Sequence, residues 1–334
     1  MTRLFIIVLS LAFLSCKTNS TQQNTNMPSA YGDLISAQNL KEHLYLIASD
    51  SLEGRMTGSR GHEKALEYIE NYYKEINVMG GMPDKTYLQT VPSSFFQRGE
   101  DFPDSYNLLA FIKGSEYPNE VIVISAHSDH IGVREDGEIF NGADDNGSGT
   151  VALMELARVF KKAADAGDTP KRSILFLHVT GEEIGLYGSR YYADVESIYP
   201  LDNTICNLNI DMIGRIDPDK ESNPNYIYLI GSDKISTELH NISEAANIEH
   251  TNLELDYTYN DDNDPNRFYY RSDHYNFAKN GIPVIFYFNG VHEDYHDIGD
   301  TPDKIDYDLL AKRTKLIFYT AWEVANKEER LSID

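Results

Sequence analysis

Along most of the chain, short apolar runs alternate with segments whose apolar residues recur at helical spacing. The apolar runs predict strands at 107–112, 121–125, 173–179, 204–210, 226–230 and 283–288. The helical segments lie at 36–47, 59–76, 149–162, 186–195, 235–246, 273–279 and 307–326. Strands that are apolar on both faces are typical of a parallel sheet covered by helices on both sides. We therefore expect an α/β fold of three layers (α/β/α) around a mostly parallel central sheet.

The N-terminus has the pattern of an export signal. An apolar run at 4–14 is too short to span a bilayer but has the length of a signal-peptide core. Ser-Cys at its end resembles a bacterial lipoprotein cleavage site, with Cys16 as the lipidated residue. We expect a lipoprotein signal peptide at 1–15, a flexible tether at 16–30 and a single domain at 31–334, held on a membrane of a bacterial cell envelope. An ordinary secretory signal is the alternative.

Charge and composition exclude several partners. The chain has 29 Lys and Arg against 53 Asp and Glu, a net charge of −24, so nucleic acid and anionic membrane surfaces would be repelled. Membrane contact is therefore expected only through the lipid anchor. Its two cysteines, Cys16 and Cys206, cannot build a disulfide framework or a cysteine-rich zinc module. Cys206 lies in an apolar run and is expected to be a buried thiol.

Side chains that suit metal binding and acid–base chemistry gather where predicted strands end. In open α/β sheets, ligands bind outside the carboxyl ends of the strands, so these side chains can converge. Two imidazoles with three or more carboxylates suit zinc, and they are too many for one catalytic zinc ion. They fit two zinc ions that share a bridging carboxylate. The segments that follow the strands supply His127, Asp144 or Asp145, Glu182, Glu183, Asp211 and His292 or His296.

Each motif alone has a simpler explanation. A His-x-Asp after a strand is usually held by hydrogen bonds, and a Glu-Glu pair usually lies on a solvated surface. The Asp-Asp-Asn at 144–146 is typical of a helix N-cap, where side-chain oxygens accept bonds from free backbone N–H groups. Their common position after strands is what favours a metal site.

Together these motifs resemble the co-catalytic zinc aminopeptidase family, which includes secreted bacterial leucyl aminopeptidases, glutamate carboxypeptidase and glutaminyl cyclases. The resemblance covers about 40–326, and the first segments that resemble the family pattern are 50–55 and 58–61. Its core consists of the motifs AHSDH (126–130), NGADDNGSG (141–149), TGEEIGLYGS (180–189), NID (209–211) and YHDIGDTPDKID (295–306).

The resemblance implies a metal role for five residues. His127 and Asp211 are expected to bind one zinc ion, and Glu183 and His296 the other. Asp144 is expected to bridge the two ions. His292 competes with His296 for the last position, which we assign to His296 because an Asp-Thr-Pro-Asp segment follows it as in the family.

The resemblance also implies the catalytic roles. Glu182 is expected to be the general base, and Asp129 the carboxylate that orients the His127 ring. The family often has a cis peptide bond after the bridging aspartate, which here would be Asp144–Asp145. His130 has no counterpart in the family pattern and is not expected to be a ligand.

Two nearby segments have less defined roles. Residues 257–270 are rich in Tyr, Asp and Asn and are expected to form a long surface loop. Tyr269 or Tyr270 could donate to an oxyanion, as a tyrosine does in some relatives, but packing within the loop is the simpler expectation. Residues 272–274 match a family motif and are expected to start a helix that shapes the cleft.

The expected function is that of a zinc aminopeptidase acting on peptides with a free N-terminus. Carboxypeptidase or dipeptidase specificity within the same chemistry is an alternative. A glutaminyl cyclase is a further alternative, although such enzymes typically lack the histidine found here as His127. The last alternative is a surface binding protein that has lost catalysis, and the intact motifs argue against it.

Overall fold

A nine-stranded sheet forms the centre of the molecule. The computed structural model describes residues 27–97 and 102–334. The strands are β1 Met79–Gly80, β2 Leu88–Val91, β3 Ser105–Ile112, β4 Tyr117–His127, β5 Gly132–Val133, β6 Ile139–Phe140, β7 Arg172–Val179, β8 Thr204–Ile210, β9 Tyr226–Ile230, β10 Glu254–Asp256 and β11 Val284–Phe288. In the main sheet they run in the order β1-β3-β7-β4-β8-β11-β9-β10, with β2 paired to β3, and β5 and β6 form a second sheet.

Strand direction differs between the centre of this sheet and its flanks. The four central strands, β7, β4, β8 and β11, are parallel to one another. On one flank β3 is antiparallel to β7, and on the other β9 is antiparallel to β11. The expected mostly parallel sheet is therefore only partly confirmed. Strands buried on both faces have the same apolar pattern in either direction, so the sequence pattern does not distinguish them.

Helices lie on both faces of the sheet, as predicted. They are α1 Met27–Gly32, α2 Ala37–Ile47, α3 Arg60–Glu75, α4 Gly149–Ala166, α5 Tyr187–Asp194, α6 Thr237–Ala246, α7 His274–Ala278 and α8 Tyr307–Asn326. Neighbouring residues of one strand point to opposite faces, so they enter different parts of the core. On β4, Ile124 packs in the cluster that contains Phe160 of α4 and Phe318 of α8. Val123 packs instead in the cluster that contains Phe277 of α7.

Several helices begin at side-chain caps. The hydroxyls of Ser36, Ser59 and Ser236 accept backbone N–H bonds at the starts of α2, α3 and α6. The carboxylate of Asp306 does the same for α8, at 2.9 Å from the Leu309 nitrogen. These caps satisfy N–H groups that have no partner within the helix. By contrast, Ser148, directly before α4, makes no side-chain cap, and the Asn146 side chain accepts the Gly149 N–H at 3.0 Å instead. Asn146 belongs to the turn Ala143–Ser148, which carries part of the site.

The boundary of the predicted tether is wrong at its C-terminal end. Residues 27–30 belong to helix α1, whereas the tether was expected to extend to residue 30. The ring of Tyr31 lies 5.7 Å from that of Trp322, and its hydroxyl donates to Asp168. These contacts attach α1 to the domain. The rest of the expected tether and the expected signal peptide lie outside the described residues. None of the helices in the described ranges combines the length and apolar composition needed to cross a bilayer.

Cys206 is a buried thiol, as expected. It lies on β8 with no exposed surface. Burial raises the pKa of the thiol above its ordinary value. The group therefore stays neutral and acts as part of the apolar core.

Candidate metal and catalytic site

The carboxyl ends of the central parallel strands bring the predicted residues to one edge of the sheet. His127 is the last residue of β4, and Asp211 directly follows β8. Glu182 and Glu183 follow β7, while His296 lies in the loop after β11. Their ends meet because β7, β4, β8 and β11 are adjacent and parallel. The expectation that distant motifs converge here is confirmed.

One half of the site consists of His127, Asp211 and Asp145. The Nε2 atom of His127 lies 3.3 Å from Oδ1 of Asp211 and 3.3 Å from Oδ1 of Asp145. Two donors at about 2.0–2.1 Å from a tetrahedral zinc ion are themselves about 3.3–3.4 Å apart. The spacing of these three donors therefore fits one metal ion.

The other half consists of His296, Glu183 and the second oxygen of Asp145. The Nε2 atom of His296 lies 3.1 Å from Oε2 of Glu183 and 3.1 Å from Oδ2 of Asp145. Asp145 thus directs one carboxylate oxygen into each half. A carboxylate in that position is suited to bridge two ions.

The expected position of Asp144 requires a correction. Its Oδ1 atom accepts the Gly214 N–H at 2.7 Å, and its Oδ2 atom lies 3.2 Å from Nε2 of His292. These partners hold Asp144 away from the two donor sets, so Asp145 takes the place that the sequence analysis gave to Asp144. The cis peptide bond is likewise one residue later, at Asp145–Asn146. His292 lies next to Asp144, so of these two histidines His296 is the one that faces the cluster.

The turn that carries Asp145 is fixed by side chains from elsewhere in the chain. The Asp300 carboxylate accepts the backbone N–H groups of Asp144 at 2.9 Å and of Asp145 at 3.0 Å. The Asn146 side chain donates to the Ile210 carbonyl at 2.8 Å, next to Asp211. The Asp145 carboxylate is therefore held in register with the end of β8.

Asp129 supports the site in a different way from the one expected. The Nδ1 atom of His127 lies 3.1 Å from the backbone carbonyl oxygen of Asp129 and 3.8 Å from its carboxylate. The carboxylate instead accepts the Thr57 hydroxyl at 2.7 Å and the Glu182 N–H at 3.3 Å. Asp129 thus orients the His127 ring chiefly through its carbonyl, and its carboxylate positions the backbone of Glu182.

A buried arginine that the sequence analysis did not single out joins two loops of the site. The guanidinium of Arg55 donates to the backbone carbonyls of Ile47, Ser128, Asn141 and Gly142 at 2.6–3.1 Å. Ser128 follows the end of β4, and Gly142 precedes the turn that carries Asp145. The segment at 50–55 was noted only for its resemblance to relatives, because nothing in its spacing shows where a single arginine folds.

The two adjacent glutamates have opposite electrostatic environments. Burial raises the pKa of Glu182 well above its ordinary value, and the nearby charge of Asp211 adds to this effect. Burial also acts on Glu183, but hydrogen bonds from His130 and His296 outweigh it and lower the pKa of that carboxyl. Glu182 therefore favours binding a proton, whereas Glu183 favours the charged form that binds cations.

The raised pKa values of the His127 and His296 imidazoles indicate that the site favours positive charge. Burial acts to lower the pKa of His296, but hydrogen bonds to Asp145 and Glu183 raise it to about 10. Burial is likewise outweighed at His127, where Asp211 raises the pKa well above its ordinary value. Metal ions displace such protons, because only a neutral imidazole coordinates. Oxygen and nitrogen donors with excess negative charge and no thiolate fit zinc or a similar divalent ion.

A cavity beside the donor sets has one polar wall and one apolar wall. Asp145, Glu182 and Asp211 form the polar wall. Tyr295 and Arg271 line the same cavity, and both also line an outer cavity that extends over Glu183 and His296. The apolar wall consists of Met212, Phe268, Phe286, Phe288 and Val291.

Three tyrosines near this cavity have different surroundings. Tyr295 stacks on His296 with ring centroids 3.9 Å apart, and the sequence analysis missed it because tyrosine is not a metal-ligand type. Tyr270 lines the outer cavity. Tyr269 packs against Tyr270 and His274, which agrees with the simpler expectation of packing.

The segment 257–270 is more than a surface loop. Phe268 is buried in an aromatic cluster with Phe288, and Tyr259 packs against it. The segment therefore supplies part of the apolar wall. Ser272, just after it, donates to Oδ2 of Asp211 at 2.6 Å, so the segment at 272–274 does shape the cleft.

Comparison with known proteins agrees with this site. The model of peptidase family M28 matches residues 107–321. A probable zinc metalloprotease of Pyrenophora teres f. teres (strain 0-1) is 29% identical over 347 residues, which cover 88% of this chain and 67% of that protein. A probable leucine aminopeptidase 2 of Aspergillus oryzae (strain ATCC 42149 / RIB 40) is 27% identical over 250 residues, which cover 68% of this chain and 46% of that protein.

Among solved structures, the LapA aminopeptidase of Legionella pneumophila superposes with a TM-score of 0.69 at 22% identity, covering 91% of this chain and 76% of that chain. This likeness shows a shared fold. The family match spans more than half of the chain and contains His127, Asp145, Glu182, Glu183 and Asp211. The chain therefore belongs to peptidase family M28.

Proposed function

We propose that this chain is a zinc-dependent aminopeptidase that removes N-terminal residues from peptides. The observation that carries the proposal is the position of Asp145, whose two carboxylate oxygens face two separate donor sets. Glu182 lines the cavity beside both sets. The relatives named as a zinc metalloprotease and a leucine aminopeptidase support the same activity.

Two zinc ions per chain fit the donors. His127 and Asp211 would hold one ion, Glu183 and His296 would hold the other, and Asp145 would bridge them. When bound, such a pair activates a water molecule and polarises the scissile carbonyl. Each of the two outer carboxylates offers one oxygen to the site while a protein donor holds the other: Ser272 for Asp211 and His130 for Glu183.

Glu182 is the proposed general base. Its pKa is raised by burial, which brings a carboxylate towards the range where it can both take and return a proton. It would accept the proton of the attacking water and pass it to the leaving amine. Burial also raises the pKa of Tyr295, so its phenol stays protonated and can donate to the carbonyl oxygen of the substrate.

The cavity walls suggest which end of a peptide binds. Asp211, Asp145 and Glu182 lie at the polar wall and suit a cationic α-amine. Phe286 and Phe288, with the rest of the apolar wall, suit an apolar side chain. We infer that the substrate presents a free N-terminal amine and an apolar first residue.

The substrate proposal is tested with a panel of aminoacyl-anilides. Leucyl-anilide should be cleaved with a kcat/KM at least roughly tenfold above that of aspartyl-anilide, because an apolar wall discriminates by about this much or more. N-acetyl-leucyl-anilide should not be cleaved, because it lacks the amine. Release of C-terminal residues from N-acetylated peptides would instead indicate a carboxypeptidase, and cyclisation of N-terminal glutamine without hydrolysis would indicate a cyclase.

The neighbouring aspartates provide a matched pair for metal binding. The Asp145→Asn variant should lose affinity for both zinc ions, because one oxygen of Asp145 faces each donor set. The Asp144→Asn variant should retain both ions, since its carboxylate contacts Gly214 and His292 instead. Zinc content after dialysis, with wild type expected at two ions per chain, measures this difference. Equal loss in the two variants would argue against the bridging position of Asp145.

Substitution of the two adjacent glutamates, Glu182 and Glu183, should impair the enzyme in different ways. The Glu182→Gln variant keeps its shape and hydrogen-bonding capacity but cannot accept a proton, so it should keep both metals and lose about 10²–10⁴-fold in kcat. In the Glu183→Gln variant zinc content should fall first, because a charged ligand is lost. Zinc content and kcat are measured together on both variants. Metal loss in Glu182→Gln with full metal in Glu183→Gln would reverse the two roles.

We also propose export and lipid anchoring through Cys16, which lies outside the described residues. The support is the apolar run at 4–14 that ends at Ser15-Cys16. The Cys16→Ala variant, expressed in a bacterial host, should lose metabolic lipid labelling and move from the membrane fraction to the soluble fraction. Cys206→Ala is the control and should stay with the membranes. Membrane partition of Cys16→Ala equal to that of the wild type would refute the anchor.

A further inference from the structure

We propose that His130 is a positioning residue that holds Glu183 in the orientation needed to bind metal. The inference rests on the proposed function, because it assigns a role relative to the metal site. The Nδ1 atom of His130 lies 2.7 Å from Oε1 of Glu183, at hydrogen-bond distance. The other oxygen of Glu183, Oε2, lies 3.1 Å from Nε2 of His296. His130 therefore binds the oxygen that does not face His296.

The contact is specific to Glu183. The distance from His130 Nδ1 to the nearest oxygen of Asp145 is 4.0 Å, which is too long for a hydrogen bond. By contrast, His296 is equally close to Asp145 and Glu183, at 3.1 Å from each. His296 thus occupies the ligand position between the two carboxylates, and His130 lies behind one of them.

The surroundings of His130 fix its ring. The residue is buried, and its backbone N–H donates to the Arg55 carbonyl at 3.1 Å. The ring lies against the backbone of Gly142, where an added Cβ would come within 2.4 Å of Cδ2 of His130. Close packing on this side restricts the ring, whose Nδ1 atom is directed at Glu183. Partners of this kind typically change metal affinity by about 10–100-fold when they are removed.

The arrangement repeats at the other outer carboxylate. Ser272 donates to Oδ2 of Asp211 at 2.6 Å, while Oδ1 of Asp211 faces His127 at 3.3 Å. Each outer carboxylate is thus restrained through the oxygen that points away from its histidine. A carboxylate restrained in this way presents a single oxygen in one direction. The site then needs little reorganisation to accept a metal ion.

The test uses the metal-loaded enzyme and three variants of His130. The side-chain amide of Asn places a donor near the Nδ1 position of histidine, whereas Gln places it near Nε2 and Leu offers none. Zinc affinity is measured by competition with a chelator, alongside kcat and KM for leucyl-anilide. For His130→Leu and His130→Gln we expect one of the two ions to bind about 10–100-fold more weakly and the other ion to be unaffected. His130→Asn should stay within about threefold of the wild type, since the contact is kept.

Two controls separate positioning from general damage. His178 is another buried histidine with one hydrogen bond, to the Tyr73 hydroxyl at 2.7 Å, so His178→Gln should leave both zinc affinities unchanged. In a double-mutant cycle, His130→Leu should add little to the effect of Glu183→Gln, because the two residues act as a unit. The proposal would be overturned if His178→Gln lost as much zinc affinity as His130→Leu. It would also be overturned if the losses of zinc affinity in the cycle were additive.

The rescue variant also excludes a direct ligand role. If His130 were itself a zinc ligand, His130→Asn would lose metal as severely as His130→Leu, and that result would overturn the positioning role. If Glu183→Gln alters zinc binding while His130→Leu matches the wild type, this inference fails and the proposed function stands. If Glu183→Gln leaves zinc binding intact, the proposed ligand set itself fails.

Discussion

The repulsion among four carboxylates gathered at one end of the sheet, two buried and two partly buried, is the constraint on which the site depends. Asp145, Glu182, Glu183 and Asp211 lie within one cluster because four parallel strands end together. Two like charges 4 Å apart repel by about 4 kcal/mol at an effective dielectric constant of 20, so positive charge must accompany them. Protonated His127 and His296 supply it when no metal is bound, and divalent ions would replace those protons. The fold therefore favours cation binding at this cluster even without substrate.

Such a cluster keeps its geometry only if the backbone around it is held from several directions. Asp300 fixes the turn that carries Asp145, and Arg55 joins that turn to the loop after β4. Asn146 ties the same turn to the end of β8. These contacts come from segments far apart in the chain and use backbone groups as partners. They hold donors in place mainly through backbone groups, and the charges they bring, on Arg55 and Asp300, are buried.

The parts of the fold that follow from periodicity could be predicted from the sequence. Helix α8 and strands β8 and β9 have the bounds that their apolar patterns predict. The antiparallel direction of the flanking strands could not be predicted, because a strand buried on both faces has the same pattern in either direction. The place of Asp145 between the two donor sets could not be predicted either. Two adjacent aspartates share one turn. Only the contacts of Asp144 with Gly214 and His292 show that Asp145 is the one that faces the cluster. Tyr295 and His130 gain their roles from contacts across the fold, which no local motif encodes.

The separation of Glu182 from Glu183 shows how one short segment supplies both a ligand and a base. The chain turns at Gly181, whose φ of 69° suits glycine, and the Glu182 N–H then bonds to Asp129. This turn directs Glu183 towards two histidines, which favour its charged form. Glu182 instead faces the cavity, where burial and, to a lesser extent, nearby carboxylates favour its protonated form. Neighbouring carboxyls whose pKa values are driven apart are suited to different tasks, one to hold a cation and one to carry a proton. The division between binding and proton transfer thus follows from where each side chain points.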